Sequence, residues 1–147
     1  MRIHLGSDHA GFPMKEFVRE YLLAAGYEVE DVGPTSEASV DYPDYADEVA
    51  RAVAQGRADK GVLVCGSGLG MAIAANKVHG VRAVQVTDPE MARMARRHND
   101  ANVITLAGRY SPVPVVKDIL DAFLQTEFEG GRHQRRIDKI TELETRG

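Results

Sequence analysis

The sequence predicts a doubly wound α/β domain with a five-stranded parallel sheet. Two observations carry this expectation. Short apolar runs alternate with helical patterns five times along the chain, the order that builds parallel strands joined by right-handed helical crossovers. One run, Gly61-Val62-Leu63-Val64-Cys65, is apolar throughout, as expected of a central strand covered on both faces. No linker, repeat or low-complexity tract interrupts the pattern, so residues 1–147 read as one Rossmann-like domain.

The elements follow in order. Ile3 to Gly6 reads as the first strand. A helix opens at Gly11, has Pro13 in its first turn and carries Phe17, Tyr21, Leu22 and Ala25 at helical spacing. Gly26 stops it, and Tyr27 to Val32 alternates as a strand does. A loop containing Gly33-Pro34 and Pro43 leads to a helix from about Asp44 to Gln55. After the Gly61–Cys65 strand, a glycine loop opens a helix from about Met71 to Val78. Val81 to Val86 is the fourth strand, followed by a helix from about Pro89 to His98, and Asn102 to Leu106 is the fifth. Val116, Ile119, Leu120, Phe123 and Leu124 mark one face of the next helix. A basic segment from about 131 forms the last helix, with a thin stripe of Ile137, Ile140 and Leu143. No strand follows that stripe, so the helix is expected to pack on a partner subunit.

Bulk properties narrow the function. A chain of 147 residues buries enough surface to hold a core without metals or disulfides. The net charge of −4 argues against nucleic acid or an anionic membrane as partner. No apolar run approaches the roughly 18 residues of a membrane span, and a strand pattern begins at once after Met1, leaving no room for a signal peptide. A single cysteine, Cys65, cannot form an internal disulfide and fits a reducing compartment. The expected location is cytoplasmic.

In this architecture ligands sit beyond the carboxyl ends of the strands. Ser7, Asp8 and His9 fall there after the first strand, Cys65-Gly66-Ser67-Gly68-Leu69-Gly70 after the third, and Thr87-Asp88 after the fourth. The glycine loop lets successive backbone N–H groups face an anion. It is not a Walker A loop, since no Lys-Ser/Thr pair follows, and Met71 spoils a dinucleotide fingerprint. Asp88 nonetheless stands where a ribose-binding acid would, so a non-catalytic nucleotide-binding module is the rival reading. Cys65 is either a small buried hydrophobe or a thiolate favoured by the backbone donors that follow it. His9 and His98 are surface or structural histidines, or proton carriers near neutral pH. No paired His, Cys or Asp spacing of a usual metal site appears, and none is expected. Arg132 and Arg136, four apart, form either a solvated face or a phosphate grip. Together these residues point to an anion-binding, acid–base α/β enzyme without specifying its reaction.

Five segments carry more than this chemistry. They are Gly6-Ser7-Asp8-His9-Ala10-Gly11-Phe12, the loop Cys65 to Gly70, Ala74-Ala75-Asn76-Lys77, Arg97-His98-Asn99-Asp100-Ala101-Asn102 and Glu129-Gly130-Gly131-Arg132-His133. In this order they resemble the ribose-5-phosphate isomerase B family, which also includes allose-6-phosphate and galactose-6-phosphate isomerases. The resemblance runs from residue 1 to about 140. It implies an aldose–ketose isomerase converting ribose 5-phosphate to ribulose 5-phosphate in the pentose phosphate pathway, with a six-carbon sugar phosphate as the alternative substrate. A second branch of the family has glycine at position 65 and a glutamate base at position 71. With Cys65 and Met71, this chain resembles the cysteine branch. By resemblance, Cys65 is the base, and Asp8 and His98 help open the sugar ring. Backbone N–H groups from Gly66, Gly68, Leu69 and Gly70, with Ser67, hold the enediolate oxygen. His9, Arg109, Arg132 and Arg136 bind phosphate, and Asn99 a substrate hydroxyl. The resemblance further implies no metal or organic cofactor, and a homodimer, with a tetramer as the alternative, whose site is shared between two subunits.

Overall fold

The computed structural model describes residues 1–146. Five parallel strands form one sheet: β1 (Arg2–Ser7), β2 (Glu28–Gly33), β3 (Lys60–Cys65), β4 (Ala83–Gln85) and β5 (Val103–Ala107). Six helices surround it: α1 (Phe12–Ala24), α2 (Tyr42–Ala54), α3 (Leu69–Ala75), α4 (Pro89–Asn99), α5 (Val113–Gln125) and α6 (Arg132–Glu144). The strand order is β2-β1-β3-β5-β4.

The alternation of side chains along a strand divides the core in two. Val62 and Val64 of β3 face one side, with Ile3, Leu5, Ile104 and Leu106, under α1, α4 and α5. Leu63 and Cys65 face the other, with Val49, Val53 and Met71 from α2 and α3. Helices thus cover both faces, as the apolar run of β3 requires. The chain leaves β1 outward to β2 and returns to β3 on the other side of β1. That reversal opens a crevice between the carboxyl ends of β1 and β3, the usual ligand position in such sheets.

Several boundaries differ from the sequence expectation, each for a visible reason. Pro43 sits in the first turn of α2 rather than in the preceding loop, so the helix starts at Tyr42. Helix α3 stops at Ala75, short of Val78, because the Asn76 side chain turns to β4. Its amide donates to the Ala83 carbonyl at 2.9 Å and accepts from the Ala83 N–H at 2.8 Å. Strand β4 is correspondingly short, and the Arg82 N–H beside it donates to Asn102 Oδ1 at 2.7 Å.

Helix α1 buries Met14, Lys15, Val18 and Leu22, while Phe17 and Tyr21 stack on each other at the margin of the core and Ala25 is exposed. Lys15 is only 1% exposed and is held by Asp31 at 2.6 Å and Glu16 at 2.9 Å. Hydrophobic spacing gives no warning of this residue, because its burial depends on a carboxylate from β2. In α6, Ile137 is buried as expected, whereas Ile140 and Leu143 are exposed on the chain.

The α1 N-terminus is docked tightly on β3. A Cβ at Gly11 would overlap the Val64 carbonyl. The Gly11 N–H also donates to Asp8 Oδ1 at 2.9 Å. Gly11→Ala is therefore expected to lower the unfolding free energy by about 3 kcal/mol, the upper range for overpacking. Denaturant titration checks it, and a loss under about 0.5 kcal/mol, as for an indifferent surface change, would contradict this close packing.

Candidate active site

The crevice at the strand reversal is a cavity of ≈ 390 Å³ lined by Asp8, His9, Cys65, Ser67, Tyr42 and Arg109, together with Gly66, Gly70, Ala10 and Tyr110. Cys65 ends β3 with its thiol on the α2–α3 side of the sheet, 5% exposed. The Gly68 N–H donates to its Sγ at 3.1 Å, a contact that suits a thiolate acceptor.

Gly68 adopts φ +80°, the left-handed region that glycine enters without penalty. This turn is locked from outside the loop. The Thr105 hydroxyl donates to the Gly68 carbonyl at 2.6 Å, and Gln85 Nε2 donates to the Ser67 carbonyl at 3.1 Å. Strands β4 and β5 thereby fix the loop that follows β3. The Ser67 hydroxyl accepts from the Leu69 N–H at 3.2 Å. On the opposite wall, the Gly108 N–H donates to the Cys65 carbonyl at 2.8 Å and the Arg109 N–H to the Gly66 carbonyl at 3.1 Å. These bonds bring the Arg109 side chain over Gly66, where a Cβ would meet it at 3.3 Å.

Asp8 is buried against β3, with its N–H donating to the Val64 carbonyl at 3.2 Å. His9 Nδ1 accepts from the Val40 N–H at 3.2 Å. Nδ1 is therefore the unprotonated nitrogen, and Nε2 carries the proton in the neutral ring. That contact also fastens the loop between β2 and α2 to the cavity rim.

Seven predicted site residues thus share one cavity: Asp8, His9, Cys65, Gly66, Ser67, Gly70 and Arg109. Gly68 backs the thiol and Leu69 is exposed at the start of α3. His98, Asn99, Arg132 and Arg136 do not line this cavity. They lie at the end of α4 and in the first turns of α6, where Arg132 and Arg136 are exposed and have no ion-pair partner among the described residues. There the His98 and His133 rings stack, with centroids 4.3 Å apart and planes at 17°. His98 Nε2 is 3.8 Å from Glu129 Oε1. Burial, then the nearby His98 and Arg132, lower the His133 pKa below the usual imidazole value, with Glu129 opposing.

Asp88, the acid a nucleotide site would need, caps α4 instead: its Oδ1 accepts from the Met91 N–H at 2.9 Å. Ala10, Tyr42 and Tyr110 are the cavity residues that sequence reasoning missed. Tyr42 approaches Gly70 so closely that a Cβ there would fall 2.6 Å from its ring. The pairing of that glycine with an aromatic residue from α2 has no linear signal, since the two lie on different elements.

A parallel sheet whose carboxyl edge gathers a thiol, a carboxylate, an imidazole and a guanidinium around a glycine loop has the layout of a small-molecule α/β enzyme. Comparison with known proteins identifies the family. Residues 3–140 match the family model described as Ribose/Galactose Isomerase. The chain is 46% identical over 145 residues to ribose-5-phosphate isomerase B of Escherichia coli strain K12, covering 99% of this chain and 97% of that protein. Its fold matches Clostridium thermocellum ribose-5-phosphate isomerase B with a TM-score of 0.98 at 48% identity, covering 99% of each chain. It also matches the Mycoplasma genitalium enzyme with bound ribulose 5-phosphate, at a TM-score of 0.95 and 43% identity, covering 99% of this chain and 97% of that one. The chain belongs to the ribose/galactose isomerase family.

Proposed function

We propose that the chain interconverts ribose 5-phosphate and ribulose 5-phosphate. The observation that carries this reading is the Cys65 thiol, held by the Gly68 N–H in one cavity with Asp8 and His9, in a chain that matches ribose-5-phosphate isomerases end to end.

The reaction moves one proton. With the aldehyde exposed by ring opening, the Cys65 thiolate removes the proton on C2. The electron pair forms the C1–C2 double bond of an enediolate, and the former carbonyl oxygen gains negative charge. Backbone N–H groups of the Gly66–Gly70 loop and the Ser67 hydroxyl are the donors for that charge; those of Gly68 and Leu69, which hold Cys65 Sγ and Ser67 Oγ in the free site, would be shared with it. Return of the proton from sulfur to C1, with proton exchange between the two oxygens, gives the ketose. Asp8 and His98 serve ring opening, and Asn99 holds a hydroxyl. His9, Arg109, Arg132 and Arg136 anchor the phosphate. Anchoring at that distance orients the reacting carbon over the base.

In this reading the site is shared in a homodimer: the partner's His98, Asn99, Arg132 and Arg136 complete the cavity that contains Cys65. The separation of the predicted residues into two groups on one chain supports this assignment. The exposed Ile140 and Leu143 on α6 give a second chain an apolar surface to cover. No helix among the described residues is long and apolar enough to cross a membrane. A free cysteine in the site suits the cytoplasm.

A six-carbon sugar phosphate is the second reading, because the matched family also includes galactose isomerases. Purified protein assayed with ribose 5-phosphate, allose 6-phosphate and galactose 6-phosphate separates the two. Ribose 5-phosphate is expected to give the highest kcat/KM. An equal or higher value for either hexose would overturn the pentose assignment, and no turnover of any of the three would overturn the isomerase reading.

A further inference from the structure

The strongest grouping of ligating side chains outside the cavity is His98, Glu129 and His133, whose donor atoms all lie within 4.8 Å of one another. We propose that His98, Glu129 and His133 form a binding site for a divalent transition-metal ion of zinc type, and that its occupancy inhibits the enzyme. The inhibitory half rests on the isomerase reading and on the role given there to His98. The binding half does not.

Two imidazoles and one carboxylate are a set that zinc accepts with a fourth position left for water. Magnesium and calcium prefer oxygen donors alone. The three ligands are brought together by the backbone. His98 ends α4 and His133 starts α6. The Glu129 N–H donates to the Arg97 carbonyl at 3.1 Å and the His133 N–H to the Gly130 carbonyl at 3.1 Å, so the intervening turn is tied to both helices.

At zinc–ligand distances of about 2.0–2.2 Å, donors around a tetrahedral ion lie roughly 3.4 Å apart. The set must therefore contract, and one of the stacked rings must turn its lone pair toward the ion. On the single chain the side chains of Glu129 and His98 are 52% and 34% exposed, which leaves both room to move there. His133 is 7% exposed and supplies the fixed ligand. Arg97 and Arg132 adjoin the two histidines in sequence, and their charge opposes a dication. Binding is accordingly expected in the micromolar range rather than at the strength of a structural zinc site. An ion bound there takes the lone pair of His98 and removes its proton chemistry.

The test uses metal-stripped full-length protein. Zinc chloride is titrated by calorimetry, and cobalt(II) by visible absorption, which reports coordination directly. One ion per chain is expected. Glu129→Gln and His133→Gln should each weaken binding by about tenfold or more, since each removes a ligand. Cys65→Ser should leave binding in place. Absence of binding, or binding lost in Cys65→Ser and retained in both ligand variants, would overturn the site. Glu129→Gln changes an exposed side chain and so tests the site even if His133→Gln does not fold. With ribose 5-phosphate, saturating zinc should reduce turnover and EDTA restore it, and the fractional inhibition should be smaller in Glu129→Gln. Binding at this cluster with turnover unchanged would overturn the inhibitory half. Binding in a protein that turns over none of the sugar phosphates would instead count against the isomerase reading.

Discussion

Cys65→Ser is expected to lower kcat by about a thousandfold, the scale of losing a positioned acid–base group, while the fold is retained. A cysteine thiol gives up its proton far more readily than an aliphatic hydroxyl, which stays protonated and cannot abstract the C2 proton. The exchange is otherwise small. Serine fills nearly the same volume at the end of β3, and its oxygen can still accept from the Gly68 N–H that now meets sulfur at 3.1 Å. Steady-state assay gives kcat, and thermal unfolding confirms that the variant is folded. A companion measurement uses the native thiol: saturating substrate should slow its alkylation by iodoacetamide, because the sugar would occupy the cavity that Cys65 lines. A serine variant with near wild-type kcat would remove Cys65 from the proton transfer.

Mixing two inactive variants should restore activity if the site is shared. Cys65→Ala and His98→Ala, each inactive alone, are unfolded together and refolded. In a two-fold dimer, a hybrid contains one site with both lesions and one with neither. Random pairing makes half the dimers hybrids, so activity should return to about a quarter of wild type. If both residues served a site within one chain, every site would carry a lesion and none would recover. The wild type, refolded in parallel, must regain activity for the comparison to hold. A silent mixture in which hybrid dimers are demonstrated would rule out a shared Cys65–His98 site. The expectation comes from the family resemblance, and the separation of these residues on the chain supports it: Cys65 lines the cavity, whereas His98 lies beside Glu129 and His133.

Much of this organisation is local and therefore legible in the sequence. The apolar run through Val62, Leu63 and Val64 specifies a strand buried on both faces, because a central parallel strand has no solvent side. The sequence also places Asp8 and His9 beyond one strand end and Cys65 at another, since the position of a residue within its own βα unit decides which edge of the sheet it reaches. Its motifs were enough to indicate the family.

Other features depend on pairs of elements distant along the chain. Hydrophobic spacing assigns α1 an apolar face through Phe17 and Tyr21, yet the packed helix buries Lys15, whose charge is held by Asp31 from β2. The insertion of β5 between β3 and β4 has no local signature, although it brings Thr105 and Gln85 to the glycine loop. Tyr42 joins the cavity because Gly70 leaves space for its ring, and His98, Glu129 and His133 converge because a turn docks α6 beside the end of α4. Sequence alone determined the presence and order of the strands and helices, and the family, because their signals lie in neighbouring residues. Tertiary structure decided the strand order, the buried Lys15, the cavity wall at Tyr42 and the histidine–glutamate cluster, because each requires a contact between segments that only packing brings together.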